Sequence, residues 1–429
     1  MTRPADHPDR HVLNDEVHAR PPEPLRAPAR LSYLALLSPQ AARDDERARV
    51  GALCERFGAP LPAPAANHHS ADLGAFRLVW ERHSEFARYT FIAPAAAGAA
   101  PWTDPPALSL VPADWLAALP GRMIVATHAL LTCDLGERSP EDLATTMFAG
   151  NLLVGSDVAG GAAFACTDFR IHSDGFGRLL VADRGLTARQ AGRTLQRLLE
   201  IDTYRMMALL ALPVARATAP FLAECEAELK AIATALVSAA ADDEAALLER
   251  LTRLEAAIAG RSGDNDYRFG AAAAYEALVH RRIAELREQR VPGLQTFGEF
   301  IERRLAPAMG TCHSIAARQD RVSLRAQRTT QLLSTRVDLT REHQNLAILR
   351  AMNRRADIQL RLQATVESLS VAAVTYYVVG LVAYAAKSAA AWGVPINGEL
   401  AIGISIPVVA GIAALGLRRV HRLVAHRDR

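Results

Sequence analysis

Two charge-free runs near the C-terminus constrain this chain more than anything else in it. Residues 369–386 read LSVAAVTYYVVGLVAYAA and residues 400–417 read LAIGISIPVVAGIAALGL, eighteen residues each. Such a run crosses a hydrocarbon core of ~30 Å once its helix extends by about a turn. The residues between them are too few to fold alone, so the pair reads as a transmembrane hairpin: a first span over 369–391, an external link over 392–399 and a second span over 400–417. A buried helical hairpin of a soluble protein is the plainer alternative, but charge-free runs of this length seldom lie together in a soluble core.

The flanks give an orientation. Arg354, Arg355 and Arg361 precede the first run, five arginines fall in the last twelve residues, and the residues between the two runs, 387–399, carry only Lys387 and Glu399. The positive-inside rule then places both termini in the cytoplasm. Nearly all the rest of the chain lies on the cytoplasmic side.

Composition adds exclusions. The 49 basic residues against 46 acidic ones leave a formal charge of +3, and that balance argues against a nucleic-acid partner. With 50% hydrophobic and 22% charged residues the chain is globular, not disordered. Five cysteines, at 54, 133, 166, 225 and 312, are odd in number and form no C-x-x-C pair, as expected of free thiols in a reducing compartment. The first twenty residues hold no apolar run, so no cleaved leader is expected.

Residues 1–185 read as an α/β or α+β domain with a mixed sheet. Strand-like runs fall at 31–37, 76–82, 86–92, 123–131, 163–171 and 178–182. The stretch FRLVWERHSEFARYTFI reads as a hairpin turning near His83 and Ser84. Helices are expected over 40–57 and after Ser139-Pro140-Glu141-Asp142, where Ser is the N-cap and Pro the first helical residue. From Thr187 onward strand signals stop: Thr187 and Gln190 form a capping box, and residues 186–310 read as long antiparallel helices. Pro213 is expected to bend the first of them. The apolar run 206–215 is too short to span a bilayer.

Residues 311–368 read as a stalk. Between Gly310 and Gly380 there are 69 residues with no Gly or Pro, about 104 Å as one helix at ~1.5 Å per residue. Val322, Leu333, Val337, Ile348 and Met352 lie to one side and Leu339, Leu346, Leu349 and Leu360 to another, without one clean heptad. Such a rod is expected to pack on the preceding helices and on copies of itself, making a homo-oligomer. Residues 418–429 are a basic cytoplasmic tail.

Motifs for chemistry are sparse. Residues 155–161, GSDVAGG, lack the lysine of a phosphate loop and read as a plain loop. His7, His11, Asp15, Glu16 and His18 cluster in HPDRHVLNDEVHARP; His11, Glu16 and His18 are the metal candidates, and a divalent cation the one cofactor they suggest. The preferred reading is that Asn14, Asp15 and His18 pin an N-terminal segment to the domain. Glu81 and His83 share a strand face, an acid–base arrangement on paper but more simply an ion-paired hairpin end. Asp174-Gly175-Phe176 fits a turn between strands. In the first span Ser370, Tyr377, Gly380, Tyr384 and Lys387 form one stripe, with Glu367 below. They line a polar pathway, with Glu367 as a carboxylate ring, or they let helices pack closely, and packing is the preferred reading. Gly403, Pro407 and Gly411 suggest a close helix contact in the second span.

The motifs LNDEVHARP, WERHSEF, TDFRIHSDGF, AGRTLQRLLEIDTYRMMALLALP, RRLAPAMGTC and QNLAILRAMNRRADIQLRLQATVESLSVAAVTYYVVGL together resemble the bacterial family of membrane-anchored proteins termed domain of unknown function 3422, over nearly the whole chain. The resemblance implies an inner-membrane protein with a large cytoplasmic region and implies no activity. The architecture of head, long helix and two C-terminal spans also looks like the CorA-type magnesium transporters, although Trp392-Gly393-Val394-Pro395-Ile396-Asn397 replaces their Gly-Met-Asn signature. Three readings follow. The first is a non-enzymatic oligomer whose head senses or binds a ligand, with CorA-like cation passage as an extension. The second is a membrane-tethered scaffold for a protein partner. The third is an anchored hydrolase using His18, Glu81 or His83.

Overall fold

The strand-like runs of residues 31–182 assemble into one mixed sheet. A computed structural model describes residues 4, 6–11, 13–14, 21–64, 66–96, 102, 104–133, 135–136, 138–238, 241–391 and 397–425. Among these residues the strands are β1 (Ala29–Leu37), β2 (His68–Asp72), β3 (Arg77–Arg82), β4 (Phe86–Pro94), β5 (Arg122–Thr132), β6 (Val154–Val158), β7 (Ala163–Thr167), β8 (Gly177–Asp183) and β9 (Gln289–Arg290). Their order is β2-β3-β4-β1-β5-β8-β7-β6-β9. Only the β5–β8 pairing is parallel among these strands; the others run antiparallel.

Helices cover both faces, which explains why the central strands are almost continuously apolar. On one face α1 (Arg43–Arg56) and α2 (Ala113–Ala117) bury Val50, Leu53 and Trp115 against Leu34, Leu36, Leu78, Trp80, Tyr89 and Phe91. Farther along the sheet α3 (Pro140–Met147) places Leu143 and Met147 on Leu130, Phe164 and Leu180. Its Ser139–Asp142 capping box and N-terminal proline match the sequence signals. The opposite face takes α4 (Ala188–Leu209), opened by the Thr187–Gln190 capping box.

Five sequence expectations change. The stretch 155–161 is not all loop, because Val154–Val158 is a strand paired with β7. The run expected at 163–171 ends at Thr167: Asp168 turns away and Phe169 takes φ +51°. The short polar β2 at the sheet edge was not expected, nor was β9 beyond Thr187. The break expected at Pro213 comes earlier, at Leu210 between α4 and α5 (Ala211–Ser238).

The remaining helices are α6 (Ala241–Leu286), α7 (Phe297–Arg304), α8 (Ala306–Ala391) and α9 (Gly398–Ala425). The chain divides into two compact units, 1–238 with 247–330, and 239–246 with 331–429. In the first unit α5, α6 and α8 share a buried polar layer: the Asn265 amide donates to Thr218 Oγ1 at 3.0 Å and to Gln319 Oε1 at 2.8 Å. Along α8 the buried residues Met309, Cys312, Ile315, Gln319, Val322 and Ala326 recur at intervals of three and four. This is a regular packing seam. It was hidden in the sequence because Gln319 and Ala326 occupy seam positions.

In the second unit Leu333 and Val337 are buried and Thr340 Oγ1 donates to Glu244 at 3.1 Å. Beyond that point the helix is bare: every residue from 341 to 366 is exposed. Three helical stretches are long and apolar enough to cross a membrane, Ala188–Ser238, Phe297–Ala389 and Gly398–Gly416. A third of the first one's most apolar window is buried in the protein, and none of the other two. Of the link between the last two, only 397–399 lie among the described residues.

Candidate functional site

Strand alternation sends Glu81 to the α4 face of the sheet and its neighbour Arg82 to the α1 face. Each meets a buried counter-charge. On the α1 side Arg82 pairs with Glu46, and its other Nη donates to the carbonyls of Ser38 at 3.3 Å and Pro39 at 3.0 Å. Burial pushes the Glu46 carboxyl up and the Arg82 guanidinium down from their ordinary ranges, and their mutual attraction only partly offsets it.

On the α4 side the network is larger. Arg88 of β4, directly opposite Glu81 in register, pairs with it and donates from Nη1 to Glu200 Oε1 at 2.8 Å. Glu200 also accepts from Gln196 Nε2 at 2.9 Å and pairs with Arg282 of α6. Arg282 in turn bonds Glu285 at 2.8 Å, which Arg197 reaches at 3.1 Å. Burial opposes the Glu200 charge, but Arg88 and Arg282 outweigh it and hold the carboxyl below the usual range. Burial likewise opposes Arg88, and Glu200 more than restores it. Beside them the Thr203 hydroxyl donates to Leu199 O at 2.9 Å, which leaves Tyr33 as donor to Thr203 Oγ1 at 2.8 Å. Burial raises the Tyr33 phenol, so it stays protonated.

An N-terminal strap covers this network. Leu25 N–H bonds Ala188 O at 2.9 Å, and the Glu23 carbonyl lies where a Cβ on Gly192 would sit, 1.7 Å away. Pro21, Glu23 and Leu25 close a cavity of about 50 Å³ lined by Tyr33, Glu81, Arg88 and Gln196. At ~10–15 Å³ for each water, that volume has room for a few water molecules. The charges are therefore mutually satisfied and shielded, tying two strands through α4 to α6.

The acid–base candidates part company here. Glu81 is held by Arg88, whereas His83 stacks on Phe86 at 4.4 Å at the hairpin end. That end is clamped to α6 by Glu85, which accepts two bonds from Arg268 at 2.8 and 3.2 Å. His11 is exposed, 3.7 Å from Asp6, while Asp15, Glu16 and His18 lie outside the described residues. Among the described residues, no three His, Cys, Asp or Glu side chains gather as a metal site.

Two pairings that the sequence did not single out resemble nucleophile–base pairs. Ser32 Oγ lies 2.9 Å from His128 Nδ1, its cross-strand neighbour, and accepts the Leu108 N–H at 3.0 Å. His128 stacks on Phe176 at 4.0 Å; burial and Arg178 push its pKa down to about 4. Ser32 is wholly buried, so no substrate reaches it. Cys54 Sγ lies 3.6 Å from His69 Nε2, but the same nitrogen is 2.9 Å from Pro60 O. It donates there and takes no thiol proton, and burial raises the Cys54 thiol besides. The signal for Arg88 was present in the sequence, a single charge inside the otherwise apolar run FARYTFI, whereas Glu200 shares RLLEIDTY with Arg197 and Asp202 and does not stand out.

The span residues divide as well. Tyr377, Gly380, Tyr384 and Lys387 line an open cavity of about 850 Å³ with Thr375 and, from α9, Ile406. Ser370 instead donates to Val366 O of its own helix at 2.9 Å, and Glu367 accepts from Gln363 at 3.2 Å. Nothing lies within 4 Å of a Cβ built on Gly380, Gly403 or Gly411, so within this chain the described residues form no close contact there.

A family model described as "Protein of unknown function (DUF3422)" matches residues 5–424. No curated protein and no solved structure matches the chain, so the CorA-type likeness gains no support there.

Proposed function

The chain belongs to the DUF3422 family, and from that membership, which carries no activity, we propose that it is a non-enzymatic, homo-oligomeric binding protein anchored in the bacterial inner membrane. One observation carries this reading: twenty-six consecutive exposed residues of α8 lead into two apolar stretches whose most apolar windows contain no buried residue. A solitary helix with that much apolar surface in water is not a stable end state. Lipid covers the last part and copies of the chain the part before it.

Only two of the three apolar stretches cross the bilayer in this reading. In α4 the residues Leu195, Leu199, Thr203 and Met207 are buried, in the unit that holds the sheet, which withholds that face from lipid. The arginine flanks keep both termini in the cytoplasm. The head then binds a ligand or a protein partner, and the helices carry the result to the membrane. A hydrolase built on Glu81 would first have to break the buried pair with Arg88.

The open cavity between the spans favours cation passage as a second reading, with Tyr377, Gly380 and Tyr384 along it. Lys387 in the same lining repels cations, and Ser370 is occupied by its own helix, so anchoring is the stronger of the two. The test is direct. Full-length protein is extracted from membranes only by detergent, has an oligomer's mass by light scattering, and shows no Mg²⁺, Zn²⁺, Ni²⁺ or Co²⁺ flux in proteoliposomes. Replacing 369–417 by an unrelated hairpin preserves function. Release by carbonate overturns the anchor, a monomer overturns the oligomer, and measurable flux promotes the second reading.

A further inference from the structure

The bare segment of α8 carries two apolar stripes, not one. Taken at ~100° per residue, Leu346, Leu349, Ala356 and Leu360 form a stripe centred roughly 110° from a second made of Ile348, Met352, Leu362 and Val366. Apart from Ala356, these side chains are large hydrophobics left exposed. Arg350, Arg354, Asp357 and Arg361 gather on the remaining side; of the other charges Glu342 falls on the first stripe and Arg341 and Arg355 on the second, which Ile358 flanks. The second stripe continues, at the same three-and-four spacing, the seam that buries Leu333 and Val337 higher on the helix.

We infer that each copy of this segment packs against two neighbouring copies, its first stripe against the second stripe of the next, in a closed parallel ring. The inference rests on the anchored-oligomer reading, because hairpins inserted from one side of one bilayer hold neighbouring helices parallel and level. Seam packing of this kind requires that arrangement. A two-fold dimer would cover one stripe of each helix and leave the large side chains of the other in water. Two different faces meeting each other make a heterologous contact, which closes only as a ring. An angle of roughly 110° between neighbours corresponds to about four to six copies.

Cysteine crosslinking of the full-length protein in native membranes tests this. The background is Cys133→Ser, since the other four native cysteines are buried. Leu360→Cys and Leu362→Cys stand at one level on opposite stripes, and Arg354→Cys on the charged side is the control. Each single variant is expected to stay largely uncrosslinked. Leu360→Cys with Leu362→Cys in one chain is expected to give a ladder that stops at about four to six copies. A dimer from Leu360→Cys alone with no ladder from the pair overturns the ring and leaves the anchored oligomer standing. Monomeric mass in mild detergent with no crosslink from any variant overturns both. A ladder from Arg354→Cys equal to that from the pair overturns the assignment of the faces.

Discussion

The two compact units use the same residue types in opposite ways. In the sheet-bearing unit two arginines are buried: Arg82 and Arg88 are 2% and 4% exposed, each facing a carboxylate. Between residues 341 and 366 of the other unit every arginine is exposed, and so are the leucines. Glycines follow the same division, one pressed against a carbonyl at Gly192 and another in open space at Gly380. The first unit is complete as a single chain. The second presents exposed apolar surface, which in the proposed reading lipid and further copies cover, so substitutions matched across the two units separate folding from assembly.

The largest difference is expected for arginine. Arg88→Ala leaves Glu81 and Glu200 buried without their shared partner, a loss of about 3–5 kcal/mol. Arg354→Ala removes an exposed charge and changes stability by no more than about 0.5 kcal/mol. Denaturant midpoints followed by the fluorescence of the buried Trp80 and Trp115 measure both in the full chain. A loss below about 1 kcal/mol for Arg88→Ala would show that water or a rearranged side chain replaces the network.

Next is the strap. Gly192→Ala drives a methyl into the Glu23 carbonyl, and forcing atoms into a packed interface costs about 1–3 kcal/mol. The strap moves first, so limited proteolysis within the first thirty residues is expected to quicken before the core loses stability. Asn265→Ala in the polar layer between α5, α6 and α8 removes both donated bonds and leaves Gln319 Oε1 without that donor, at about 1–3 kcal/mol.

Much of this division was legible beforehand. The apolar runs 369–386 and 400–417 fall in α8 and α9, and the Ser139 and Thr187 capping boxes sit where their residues indicate. The mixed sheet was legible because strands buried on both faces are dense in Val, Leu, Phe and Tyr. β6 was missed for a physical reason: Gly155 reads as a loop residue, yet a Cβ there would lie 2.8 Å from both Ala165 O and Cys166 Cβ, so the strand pairing itself demands glycine. β2, with sequence HHSAD, is an edge strand whose polar residues mask its conformation. The buried network was only half legible. Glu81 was a candidate, but register, not spacing, brings Arg88 opposite it, and Glu200 comes from a helix more than a hundred residues later.

The network also sets a pH dependence whose sign differs between its two halves. The folded pKa of Glu200 lies below its unfolded value of ~4.3, so its contribution is complete above that value and is lost as pH falls through the folded one. The folded pKa of Glu46 is raised by burial, so its contribution is complete below ~4.3 and lost as pH rises through its folded value. Glu200→Gln is therefore expected to approach the parent's stability as pH falls, and Glu46→Gln to approach or exceed it as pH rises. Thermal midpoints between about pH 3 and 8 check both trends, and parallel curves for both variants would assign the two pairs no distinct role.

The smallest effect is the sharpest test of the contrast between the units. Gly380→Ala adds a methyl where nothing lies within 4 Å, so within one chain it meets no obstacle, and alanine favours the helix by up to about 1 kcal/mol. The head's denaturant midpoint is expected not to move, unlike that of Gly192→Ala. Oligomer mass in detergent reads the other half of the comparison, because small residues let membrane helices approach closely. An unchanged mass places the contacts between copies in the exposed segment 341–366. A reduced mass extends them along the Gly380 face of the span, so that the same Gly→Ala change acts on folding in one unit and on assembly in the other.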